Sequence, residues 1–130
     1  MTAMDTVQRY GAAMATGDLD GVRAVLAPDA VWHQPGSNVL SGDHVGPDAI
    51  LAHLGRFMEL SGGTFALATD EALPAGDLVV TTVTFRAERP GRDPLDQRGA
   101  DVYRVVDDRI QEVWLISEDQ AAEDRFWNPA

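Results

Sequence analysis

Leu95-Asp96-Gln97-Arg98-Gly99-Ala100-Asp101-Val102-Tyr103-Arg104-Val105-Val106, then Asp107-Asp108, then Arg109-Ile110-Gln111-Glu112-Val113-Trp114-Leu115-Ile116-Ser117, is the stretch that decides the fold. Two runs rich in β-branched and aromatic residues flank a two-residue acidic break, the pattern of a hairpin closed by a tight turn. Working outward toward the N-terminus, Thr64 to Leu73 and Asp77 to Arg89 keep the same strand-like composition. Their breaks, Pro74-Ala75-Gly76-Asp77 and Pro90-Gly91-Arg92-Asp93, carry turn residues. Connections this short make antiparallel neighbours, because a parallel crossover takes a dozen residues or more. A meander of four long strands is expected.

Before Thr64 the period is helical. Val7, Tyr10, Gly11 and Met14 form one stripe of a first helix from about Thr2 to Thr16. Gly17 ends it, and Asp18 caps a second helix whose buried side is Leu19, Val22, Val25 and Leu26, stopped by Pro28. Ala30 to Gln34 reads as a short strand, and Ser37 to Val45, polar and glycine-containing, as a loop. Gly46-Pro47-Asp48 opens a third helix with Ile50, Leu54, Phe57, Met58 and Ser61 on one face, closed by Gly62-Gly63. Ser117 with Gln120 forms a capping box for a terminal helix through Trp127. Helices grouped apart from an antiparallel meander define an α+β class, with residues 1–130 as one domain. Long strands twist and curl, so the concave face must be filled. Three helices fill part of it; what remains is a pocket for a small, largely hydrophobic, ring-bearing molecule.

Composition narrows the partners. The 130 residues carry 10 basic and 21 acidic side chains, a net charge of −11 that opposes nucleic acid and anionic membranes. There is no cysteine, hence no disulfide, thiolate metal site or thiol nucleophile. No apolar run approaches the ~20 residues of a membrane span, and no secretory signal layout opens the chain, so a cytoplasmic protein is expected.

Strand alternation selects the inward groups. Gly99, Asp101, Tyr103 and Val105 share one face, and the opposite face carries Arg98 and Arg104, so the first looks inward. An inward aspartate needs a partner or a proton. Tyr10, on the buried stripe of the first helix, brings a hydroxyl that also needs a partner. Trp32 shares parity with Gln34, and Phe57 lies on the inward stripe of the third helix, which makes all three candidate ligand contacts with Tyr103. His33 and His53 are further candidates because histidine titrates near working pH, although alternation turns His33 away from Gln34. His44 is expected as a solvated loop residue. No histidine pair has helical ligand spacing beside a carboxylate, so no metal is expected. Trp114 is a candidate contact on a strand apolar on both faces, and such a strand is buried on both. That points to a homodimer packed sheet to sheet.

The runs Val7-Gln8-Arg9-Tyr10, Ala12-Ala13 and Gly17-Asp18-Leu19-Asp20-Gly21 resemble the opening of bacterial ketosteroid isomerases. These share the nuclear transport factor 2-like (cystatin-like) cone with SnoaL-like polyketide cyclases and limonene epoxide hydrolases. Trp32-His33-Gln34-Pro35-Gly36, Leu40-Ser41-Gly42, Gly46-Pro47-Asp48-Ala49-Ile50 and Glu118-Asp119-Gln120 are more similar to the SnoaL-like branch. The resemblance implies that Tyr10 and Asp101 occupy the positions of an oxygen-binding acid pair in a cofactor-independent cyclase or isomerase. The isomerases' carboxylate base is replaced by Gln34 before Pro35, and an amide is no base at neutral pH. Steroid isomerisation by the usual route is therefore not expected. Glycine at 99, where the epoxide hydrolases' arginine would lie, disfavours epoxide opening. The resemblance admits Asp101 either as a neutral donor or as an ionised acid–base group. A non-catalytic module using the same cavity is the alternative.

Overall fold

The computed structural model describes residues 1–129. In chain order the elements are α1 (Ala3–Thr16), α2 (Leu19–Val25), β1 (Leu26–Gln34), β2 (Gly42–Val45), α3 (Pro47–Leu60), β3 (Ala66–Ala75), β4 (Leu78–Ala87), β5 (Leu95–Val106), β6 (Arg109–Ser117) and α4 (Gln120–Trp127). One curved, unclosed sheet of order β2-β1-β6-β5-β4-β3 carries the helices on its concave side. All neighbours are antiparallel except β1 and β6, which run parallel. The meander is as the sequence predicts. Asp107 and Asp108 both take positive φ, 51° and 61°, as a two-residue turn of that hand requires.

Several expectations are corrected. Residues 42–45 are not loop but a short edge strand on β1, pairing His44 with Trp32 and Gly42 with Gln34. A polar edge strand draws its order from ladder hydrogen bonds, which leave no apolar signature. β1 begins at Leu26 rather than Ala30, and it accommodates Pro28 by a register shift between Leu26 and Val31. The cap of α4 is Asp119, accepting from the Ala122 N–H, while the Ser117 hydroxyl is drawn away to the Glu123 carboxylate. Met14 and Leu19 are exposed, whereas Thr6 and Ala13 complete the buried side of α1. β3 is exposed along its whole length, because it forms the far edge of the sheet.

Caps hold the helices where the sequence puts them. Thr2 and Asp5 form a reciprocal capping box at α1, and Gly17 closes that helix with φ of 68°. Two apolar clusters result. One gathers α1, α2, β1, β5 and β6 around Val22, Leu26 and Ile110; the other joins Leu40, Phe57, Phe85, Phe126 and Trp127. The cavity lies between them.

Candidate functional site

Sheet register turns the floor of the cavity into rows. Asp101 pairs with Leu115 on one side and Thr81 on the other, and Thr81 with Ala72. Tyr103 pairs with Val113, and Val113 with Trp32, so the aromatic pair Trp32 and Tyr103 occupies the next row. Gly99 pairs with Ser117 and Val83. A side chain there would collide with the Ile116 backbone and the Phe85 ring, so only glycine fits this close strand approach. Above the floor, α1 lowers Val7, Tyr10 and Met14, α3 lowers Leu54 and Phe57, and α4 lowers Glu123 and Trp127. The cavity volume is about 600 Å³, within the range of small-molecule sites.

A carboxyl and two phenols gather near the middle of this largely apolar space, among the smaller hydroxyls of Thr81 and Ser117. Asp101, Tyr10 and Tyr103 are each 6–7% exposed. The two tyrosine rings lie 5.8 Å apart, tilted by 55°. Burial pushes the Asp101 carboxyl up to about 7, against a hydrogen-bonding Tyr103 hydroxyl that favours the charged form. Burial, then the neighbouring Asp101, raises both phenols well above their ordinary range, so they remain protonated donors. Tyr103, expected as a ring contact, thus stands beside the acid as a third polar group.

Glu123 was not singled out by sequence. It is 3% exposed, accepts from the Ser117 hydroxyl, and its charge helps raise Asp101. Burial raises Glu123 as well. Its spacing from Phe126 and Trp127, three and four residues on, is the one signal that could have marked it as inward.

The second polar cluster surrounds Gln34, 6% exposed. Its Oε1 accepts from Trp32 Nε1 at 3.0 Å and lies 2.9 Å from His53 Nε2. His53 is buried behind this pair, outside the cavity lining, with His44 stacked on it at 3.8 Å. Burial, with His44 and Arg56 nearby, lowers His53 to about 3, so it is neutral and its Nδ1 has no partner. His44 is therefore a half-buried strand residue rather than a solvated loop one. Phe57 meets His53 edge-on at 5.1 Å and lines the cavity.

Two candidates lie elsewhere. His33 and Trp114 stack at 5.7 Å on the convex face of the sheet, because alternation turns them opposite to Gln34 and Leu115. His33 sits 2.8 Å from Asp43 and 2.6 Å from Glu112. Burial opposes its charge, but hydrogen bonds and charges from Glu112 and Asp43 prevail and raise it. Neither residue touches the cavity. Among the described residues no group of three or more histidine and carboxylate side chains could hold a metal ion, and no helix is long and apolar enough to cross a membrane.

Helices packed on the concave side of a curved, unclosed, largely antiparallel sheet, around an acid-bearing apolar chamber, make up the cystatin-like fold. The profile of the SnoaL-like domain matches residues 7–113, and the chain belongs to that family. It is similar to a protein of unknown function with cystatin-like fold from Xanthomonas campestris, 39% identical over 99% of this chain and 100% of that one, with a TM-score of 0.90. The uncharacterized protein Rv0034 of Mycobacterium tuberculosis is 34% identical over 95% of both chains. IdmH of Streptomyces antibioticus, a candidate polyketide cyclase, is 26% identical over 91% of this chain and 93% of its own, with a TM-score of 0.72.

Proposed function

We propose that this protein is a cytoplasmic, cofactor-independent cyclase or isomerase acting on a hydrophobic cyclic carbonyl compound of the polyketide kind. The observation that carries the reading is the placement of a buried carboxyl, Asp101, in a largely apolar chamber with the phenols of Tyr10 and Tyr103, where burial pushes it up to about 7. A group poised near neutrality serves both as base and as acid. Ionised Asp101 takes a proton from carbon next to the substrate carbonyl. The C–H electron pair passes into the carbonyl, and Tyr10 and Tyr103 donate hydrogen bonds to the enolate oxygen that forms. The enolate then either regains the proton at the far end of a conjugated double bond, which shifts that double bond, or attacks a second carbonyl through its α-carbon. In the latter case the new alkoxide takes the proton back from Asp101. The candidate cyclase IdmH among the relatives supports the same class of reaction.

The test is exchange of the α-hydrogens of 2-tetralone in heavy water, followed by NMR. The protein is expected to accelerate exchange, and Tyr10→Phe to slow it by about 10²- to 10³-fold, as loss of an oxyanion donor does. No acceleration by wild type, or full acceleration by Tyr10→Phe, would overturn the assignment. A second reading, binding without catalysis, is favoured by one observation: an amide, Gln34, stands where a carboxylate base would be. It predicts saturable binding of the ketone with no exchange.

The convex face supports a homodimer in this proposal. Trp114 and Val102 are half-buried there, and Ile116 is 60% exposed. Ile116→Glu is expected to convert a sedimenting dimer to monomers; a wild type that sediments as a monomer at micromolar concentration would rule the dimer out.

A further inference from the structure

The orientation of the Gln34 amide is forced by its neighbours. The indole N–H of Trp32 only donates, so the Gln34 atom 3.0 Å from it must be the carbonyl oxygen. That same oxygen takes the Nε2–H of His53 at 2.9 Å, which leaves both of its lone pairs used. The amide nitrogen is then the free end. Gln34 lines the cavity, and its nitrogen is not among the buried side-chain atoms without a partner, so it is open to the cavity space.

Its place relative to Asp101 follows from register. His33 pairs with Trp114 across the parallel β1–β6 ladder, which brings Gln34 level with Leu115. Asp101 pairs with Leu115 from the other side. Gln34, Leu115 and Asp101 thus form one inward row, with an apolar side chain between two polar ones. Two strand spacings separate the polar positions, roughly 10 Å between Cα atoms. On a concave sheet the side chains converge, leaving the span of one or two fused rings.

We propose that Gln34 is a fixed hydrogen-bond donor reading a second oxygen of the ligand, so that the natural ligand is a ring compound with oxygens on opposite flanks: a carbonyl acceptor toward Gln34 and the reacting carbonyl toward Tyr10 and Tyr103 beside Asp101. This rests on the reading of the cavity as a ring-binding site, and it adds the requirement for a distal carbonyl. The amide at position 34 is then a specificity residue that selects an acceptor oxygen. A carboxylate there, able only to accept, would reject that carbonyl and take a hydroxyl instead.

Three ring compounds separate the possibilities by fluorescence titration or calorimetry: 2-naphthol with one hydroxyl, 6-hydroxy-1-tetralone with a hydroxyl and a distal ketone, and 2,6-dihydroxynaphthalene with two hydroxyls. Wild type is expected to bind 6-hydroxy-1-tetralone about three- to tenfold more tightly than 2-naphthol, the worth of one hydrogen bond. Gln34→Glu keeps an oxygen for Trp32 and His53, and is expected to weaken the tetralone while retaining the diol, whose second hydroxyl can donate to the carboxylate. If wild type binds 2-naphthol and the tetralone equally, the distal-donor inference is overturned. The acid-site reading then still stands on a loss of 2-naphthol binding in Tyr10→Phe. If none of the three compounds binds, the ring-binding reading itself fails, and this inference with it. The wild-type comparison decides the matter even if the glutamate variant does not fold.

Discussion

Asp101→Asn is expected to yield a protein that is more stable above pH 7 and inert toward the ketone. In the folded chain the carboxyl holds its proton up to about pH 7, whereas unfolded it releases it near 3.8. Between those values the folded state binds the proton that the unfolded state has lost. Its stabilising effect is fully present below about pH 4 and declines as pH rises through 7. At ~1.4 kcal/mol per pH unit the ceiling on the decline is ~4 kcal/mol. Asparagine has no proton to lose, so the variant escapes this part of the decline. Glu123, also raised by burial, adds a decline of the same sign in both proteins. Thermal unfolding at pH 5 and pH 8 measures the difference: wild type should lose more between the two than the variant. Parallel losses would mean that the Asp101 carboxyl is not held neutral by its surroundings. The same substitution removes the acid–base group, and exchange should fall by about 10²- to 10⁴-fold. Higher stability joined to lost activity is the mark of a buried carboxyl retained for chemistry.

Trp127→Ala is expected to have the largest effect on folding. The indole is 1% exposed and meets Phe126 and Phe57 edge-on, at 4.8 and 5.4 Å, so it joins α4 to α3. Truncating a buried tryptophan typically costs about 3–5 kcal/mol, through lost transfer energy and the hole left behind. The hole would open into the ligand cavity, which Trp127 already lines. The helix itself should stay in place. Arg89 donates to the carbonyls of Phe126 and Trp127 at 2.8 and 3.0 Å, and Arg92 to that of Asn128 at 2.7 Å. Urea unfolding gives the loss directly, and a value below about 1 kcal/mol would show that α4 is not part of the core. Trp127→Phe should lose less, because the indole N–H it removes is buried without a partner.

The reading from sequence succeeded where one physical period dominates. Alternation along residues 95–106 sets Asp101 and Tyr103 on one face, and the same rule turns Gln34 and Trp32 inward and His33 outward. The acidic pair at 107–108 marks the hairpin because two successive left-handed residues need short polar side chains. Trp114 shows the limit of such reasoning. Its strand is apolar on both faces, so pattern alone does not say which face meets the cavity.

Local sequence determined the meander, the helices and which side chains of a strand share a face, since these depend only on residues a few positions apart; which helix residues end up buried it set only in part, as exposed Met14 and Leu19 show. Tertiary structure alone decided which distant segments share a wall. It set β1 parallel beside β6, recruited residues 42–45 as an edge strand, and brought Glu123 into the chamber near Asp101. It also fixed the Gln34 amide through an indole two residues away and an imidazole nineteen away. Long-range pairing leaves no period in the chain; its energy comes from burial and hydrogen bonds that exist only once the elements have met.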